Sequence, residues 1–205
     1  MVLKDRFETL CLNFSENKIL VEKFWTEIEN NYSTKSRYYH NLPHLENMFE
    51  EIDAVRDQIE KFENISFSIF YHDMIYDASS KLNEEKSADV AKERLESLGV
   101  NNDKIQNIYE QILATRSHKR SENEDTNFLL DADLSILGKS DEAYLEYTKQ
   151  IRKEYSIYPD LLYKPGRKKV LKHFLELENI FKTEYFRGKY EIQARENIKS
   201  ELKNL

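Results

Sequence analysis

Phe67-Ser68-Ile69-Phe70-Tyr71-His72-Asp73-Met74-Ile75-Tyr76 sets an imidazole and a carboxylate side by side in an otherwise core-type run. No period-two alternation marks it as a half-buried strand, and it reads as a largely apolar helix from about residue 65 to 76. A buried carboxylate costs several kcal/mol unless a cation or hydrogen bonds compensate it. The stretch therefore implies both a helical core and a demand for countercharge inside it.

The same conflict recurs downstream in Leu129-Leu130-Asp131-Ala132-Asp133-Leu134-Ser135-Ile136, where acids again interrupt apolar residues. Upstream, Tyr39-His40-Asn41-Leu42-Pro43-His44 places two more of the five histidines four residues apart. Asn41 can cap a helix there, with Pro43 in the first turn, where its missing N–H does no harm. Neutral imidazoles and carboxylates suit Mn²⁺, Fe²⁺, Co²⁺, Ni²⁺ or Zn²⁺. His44, His72, Asp73 and Asp133 would reach such an ion from three separate helices, as ligands in helical bundles do. One His-Asp pair alone is weak evidence, since single buried histidines are more often structural; the joint pattern is the stronger signal.

The rest of the chain supports helices throughout. Four glycines and three prolines in 205 residues are few, and charged residues make up 34%; scarce breakers with abundant Glu, Lys, Leu and Ile favour helix. Periodicity predicts helices over 3–13, 16–30, 41–59, 84–98 (stopped by Gly99), 102–116, a segment around 128–138, 141–155, 167–182 and 188–203. Tyr158-Pro159 and Pro165-Gly166 read as the bounds of a turn. The expectation is an all-α bundle with little or no β structure, and one domain over residues 1–205. Thirteen tyrosines and eleven phenylalanines read as filling between helices.

Formal net charge is −7, a field that repels duplex nucleic acid but leaves room for a small anion held by local cations. The lone Cys11 cannot form an internal disulfide. The charged N-terminus does not resemble a signal peptide, and no apolar run approaches the ~20 residues of a membrane span. A cytoplasmic protein with no membrane partner is expected, with a homodimer left open. There is no glycine-rich nucleotide loop, so phosphate recognition would fall to metal and side chains.

The order His … His-Asp … Asp resembles the HD superfamily of metal-dependent phosphohydrolases. Tyr39-His40-Asn41-x-x-His44 is similar to the first motif of the cyclic-nucleotide phosphodiesterases, and Ala132-Asp133-Leu134-Ser135 to their last ligand motif. The chain looks closest to the small bacterial predicted metal-dependent phosphohydrolases of that superfamily. That likeness is carried by Arg37-Tyr38-Tyr39-His40-Asn41-Leu42-Pro43-His44, Tyr71-His72-Asp73-Met74-Ile75-Tyr76-Asp77, Asn83-Glu84-Glu85-Lys86-Ser87-Ala88 and Asp131-Ala132-Asp133-Leu134-Ser135-Ile136-Leu137-Gly138. It runs from about residue 5 to the C-terminus and takes in Arg195 and Asn197.

The resemblance implies an HD-type helical bundle, a divalent metal cofactor (Mn, Co, Ni, Fe, Zn or Mg) and His44, His72, Asp73 and Asp133 as its ligands. His44 matches the phosphodiesterase ligand position and His40 the histidine that serves there as general acid. Other HD proteins carry Arg-x-x-His as the ligand motif, which would select His40 through Arg37. Asp133 is preferred to Asp131, which would then orient a ligand from behind. The implied reaction is hydrolysis of a phosphoester or phosphoanhydride, on a small and nucleotide-like phosphorylated substrate. A metal acidifies water and polarises the phosphoryl oxygen. His40 is then the candidate acid, and Asp77, one turn beyond Asp73, or Glu84 the group that orients or deprotonates water. His118 and Arg167 are candidates for binding the phosphate; His173 reads as structural. Two other readings stand beside this one: an HD-type di-iron oxygenase with extra histidines, and a metal- or ligand-sensing module without turnover.

Overall fold

The computed structural model describes residues 2–205. Ten α-helices follow one another: α1 Leu3–Leu12, α2 Lys18–Tyr32, α3 Leu42–Asp53, α4 Phe62–Tyr71, α5 Asn83–Ser97, α6 Asn102–Ala114, α7 Glu124–Leu134, α8 Asp141–Glu154, α9 Asp160–Glu176 and α10 Glu184–Asn204. Short 3-10 turns cover Arg56–Gln58 and Ser135–Gly138. No strand occurs among the described residues, so the chain is all-α.

Two helices are the axis of the core. Every residue of α4 from Asn64 to Tyr71 is buried, and α7 is buried from Asp125 to Ala132. Helices closed off on all sides must be wrapped by others: α1, α3, α5, α6 and α7 pack on α4, and α3, α4 and α6 on α7. Phe7, Trp25, Phe49 and Phe70 meet edge to face or tilted, with centroids 4.9–6.5 Å apart. Side-chain caps begin five helices: Asn17, Asn41, Asn101, Asn123 and Ser140 each accept from a backbone N–H three residues on, and each such cap stabilises by about 1 kcal/mol. Gly99 ends α5 at φ 79°, the left-handed position that glycine takes at least cost.

The boundaries differ from the sequence expectation in five places, four of them at contacts distant in sequence. The first helix of the site region stops at Asp53 rather than near residue 59, and a 3-10 turn follows. Glu60 and Lys61 then give their N–H groups to the Asp125 carboxylate, which starts α4 three residues early. At its other end α4 stops at Tyr71, not Tyr76. Arg37 donates to the carbonyls of Asp73 and Met74 at 2.7 and 3.0 Å, and the Ile75 N–H goes to Ser87 Oγ, so these groups are lost to a longer helix.

Pro165-Gly166 is not a turn; both lie inside α9. Pro165 forfeits one helical bond to Leu161, which is itself 84% exposed, so water can satisfy that carbonyl. α10 starts at Glu184, earlier than residue 188. The fully buried Asp131 carboxylate receives the N–H groups of Lys182 and Thr183 and so caps that helix from across the core. α9 buries least of the ten helices, with Leu171 its one buried residue.

Candidate metal centre

Three segments deliver the predicted ligands to one place. Asn41 caps α3 by accepting from the His44 N–H, which fixes His44 in the first turn. His72 and Asp73 occupy the turn that follows α4, and Asp133 lies in the last turn of α7. His44 Nε2 is 3.3 Å from His72 Nε2 and 3.3 Å from Asp133 Oδ1, and His72 Nε2 is 3.9 Å from the same oxygen. One ligand atom from each of these three residues lies within 4.8 Å of the others. Atoms about 2.0–2.2 Å from a shared ion sit roughly 3.0–3.5 Å apart, so the group fits a divalent cation. Asp73 stands at its edge, with Oδ2 3.2 Å from His72 Nε2.

The chemistry of the donors points the same way. His72 Nδ1 lies 2.9 Å from the Ile69 carbonyl, an acceptor that selects the Nδ1–H tautomer. Its Nε2 then offers a lone pair towards His44 Nε2 and two carboxylates. Such a gathering of acceptors needs a proton or a metal between them. Without metal a proton serves: burial disfavours the imidazolium, but Asp73 overrides it and raises His72 to about 9. Burial also opposes the Asp133 anion, yet His118 and His44 hold its carboxyl well below the usual range. A metal would displace the proton and bind the same anions.

The turn bearing His72 and Asp73 is held from behind. Arg37, 8% exposed, bridges the carbonyls of His40, Asp73 and Met74. Tyr32 Oη accepts the Asp73 N–H at 3.2 Å. The structure thus places His44, not His40, beside His72 and Asp133, and gives Arg37 a backbone-clamping position.

His40 points elsewhere. Its Nδ1 is 2.6 Å from Glu154 Oε2, and its ring stacks on Tyr76 at 4.4 Å. Glu154 Oε1 accepts the N–H groups of Tyr38, Tyr39 and His40 at 2.8–2.9 Å, and Oε2 also accepts from Tyr76 Oη. Burial opposes this carboxylate, but the His40 hydrogen bond prevails and lowers it to about 2. For His40 burial works against charge, and Asp73 and Glu154 together raise its pKa above the ordinary value. Glu154 was not visible as a functional residue: Lys153-Glu154-Tyr155 reads as the charged end of an amphipathic helix.

The remaining candidates scatter. Asp77 does not share a helical face with Asp73, because the helix has ended; it is exposed, and its carboxylate accepts the Ser79 N–H and hydroxyl. Asp131 turns away from the ligands to cap α10, so it does not orient them. Arg167, only 9% exposed, already holds Glu201 through two bonds of 2.8 and 3.0 Å, which occupies the fork expected to clamp phosphate. His118 does reach the site: a left-handed residue after α6 (φ 48°) swings its Nε2 to 2.8 Å from Asp133 Oδ2. Arg195 and Asn197 are structural, donating to the carbonyls of Leu175, Leu177 and Glu178 and of Leu137 and Lys139 respectively.

A cavity of about 1310 Å³ opens in front of the cluster, bordered by His40, Glu84, His118 and Asp133 at one end and by α8 and α9 at the other. Arg116, Lys119, Arg120 and Lys169 stand around it, a local excess of positive charge on an acidic chain. His173 is exposed and borders it too. No described helix is long and apolar enough to cross a membrane. Neither a family model, nor a curated protein, nor a solved structure matches this chain.

Proposed function

We propose that this protein is a metal-dependent phosphohydrolase acting on a small phosphorylated compound. The observation that carries the reading is the convergence of His44, His72 and Asp133, with Asp73 at the edge, beside a cavity that Asp133 borders and that Arg116, Lys119 and Arg120 line. These four side chains would hold a divalent ion. Once bound, it would supply a polarised phosphoryl group and an acidified water.

The chain's own groups provide the rest. Lys119, next to His118, makes no ion pair among the described residues and stands free to meet a phosphate. His40 is held at Nδ1 by Glu154, so its Nε2 is left to deliver a proton to a leaving oxygen. Glu154 keeps the imidazole oriented and favours its charged form. Glu84 borders the cavity and is the remaining candidate for orienting water; Asp77, bonded to Ser79, is not placed for it.

Phosphate release from a panel of phosphoesters with Mn²⁺, Co²⁺ or Mg²⁺ tests the reading. Asp73→Ala is expected to abolish metal retention and hydrolysis together, and full activity in that variant rules the centre out. His118 on the second oxygen of Asp133 is the observation that favours a two-ion arrangement, and with it an iron-dependent oxygenase; oxygen consumption with Fe²⁺ distinguishes that chemistry.

A further inference from the structure

The cavity is far larger than a phosphate needs, and its two ends differ in chemistry. At about 1310 Å³ it exceeds the ~300–1,000 Å³ of most small-molecule sites. Polar groups and cations gather at the His118–Asp133 end. The far wall is mostly Tyr155, Tyr158, Leu162, Val170, Phe174 and neighbouring rings, with Lys169 and His173 of α9 at its border. Tyr155 packs against Tyr158 and Tyr163 with centroids 6.3 and 6.0 Å apart, which makes a continuous aromatic surface.

Two features argue against a nucleobase on that wall. Reading a base edge takes paired donors and acceptors; Asn179 is the one amide side chain that borders the cavity, the Thr115 hydroxyl is bonded to the Ile112 carbonyl, and Ser117 stands at the cationic end between Arg116 and His118. The Tyr147 hydroxyl, which could serve, already receives Arg167 at 3.3 Å. The wall also continues outward: Leu162 is 61% exposed and Val170 48%. Apolar side chains left open inside a cavity gain most from an occupant that covers them.

We infer that the substrate is a phosphate ester of a bulky apolar alcohol, its phosphate at the cationic end and its hydrocarbon part along the α8–α9 wall. This deepens the phosphohydrolase reading and rests on it. Nucleotides and sugar phosphates are the disfavoured alternatives.

The test is equilibrium titration of the Mn²⁺-loaded protein with methyl, butyl and octyl phosphate, each monomeric, alongside adenosine 5′-monophosphate. At full burial each added methylene tightens binding about fourfold, so the expected result is a steep rise along the series, with octyl phosphate well ahead of the nucleotide. Leu162→Ser with Val170→Ser, both at exposed positions, is expected to weaken octyl phosphate about tenfold and leave methyl phosphate unchanged. A flat series, or a nucleotide that binds more tightly than octyl phosphate, overturns the inference while leaving the phosphohydrolase reading intact. Loss of all phosphate binding, methyl phosphate included, overturns both.

Discussion

Removing the Glu154 carboxylate tests how the chain holds His40. In Glu154→Ala three backbone N–H groups, at residues 38, 39 and 40, lose their common acceptor, and Tyr76 Oη and His40 Nδ1 lose theirs. Orphaned buried donors cost about 1–3 kcal/mol each, partly recovered where water reaches them. A total near 4 kcal/mol is expected, which for a chain of this length lowers Tm by about 10 °C.

Glu154→Gln is the sharper variant, since its amide oxygen can still serve the backbone N–H groups but carries no charge. The fall of the carboxyl from 4.5 to about 2 corresponds to about 3 kcal/mol of stability. That contribution is fully present above pH 4.5 and is lost as pH falls through 2. His40 runs the other way: its raised folded pKa adds stability below pH 6.5 that fades as pH climbs past the folded value. Urea melts between pH 3 and 8 should therefore show a steep acid limb in the wild type and a flattened one in Glu154→Gln. Identical limbs would refute the ion pair. Full hydrolysis with an unshifted pH profile would refute the orienting role.

Gly138→Ala should destabilise by about 1–3 kcal/mol, because an added Cβ would lie 2.7 Å from the Tyr190 carbonyl oxygen and closer still to its Cβ; thermal melts read this directly. Asp131→Ala removes the cap of α10 and should cost about 2–4 kcal/mol while metal binding to the folded protein persists, measured by titration below the lowered Tm. Arg37→Ala frees the turn after α4 and should weaken metal affinity about 10- to 100-fold; unchanged affinity would show that the turn holds itself.

The helical class and the two core helices were legible because both signals are local: apolar density around Phe67–Tyr71 and Phe128–Leu130, and few breakers. His44, His72 and Asp133 were legible because an ionisable group in an apolar segment needs a partner wherever the chain runs. What escaped depends on contacts distant in sequence. Glu154 acts on residues 114–116 positions away, and the local pattern around it is that of any solvated helix end. The end of α4 is set by Arg37 and Ser87, so Asp77 does not share the face that a longer helix would give it with Asp73. The start of α10 is set by Asp131, whose neighbours suggested a ligand's companion instead. Pro165-Gly166 misled because Pro near a helix start costs little when solvent covers the freed carbonyl.

α9 buries only Leu171 and is otherwise held by half-buried side chains and the Arg167–Glu201 bonds, whereas α4 is enclosed on every side. Local opening free energies follow that difference. The outer wall can therefore breathe while the interior stays shut, and a guest has a way in that leaves the ligand-bearing turns undisturbed.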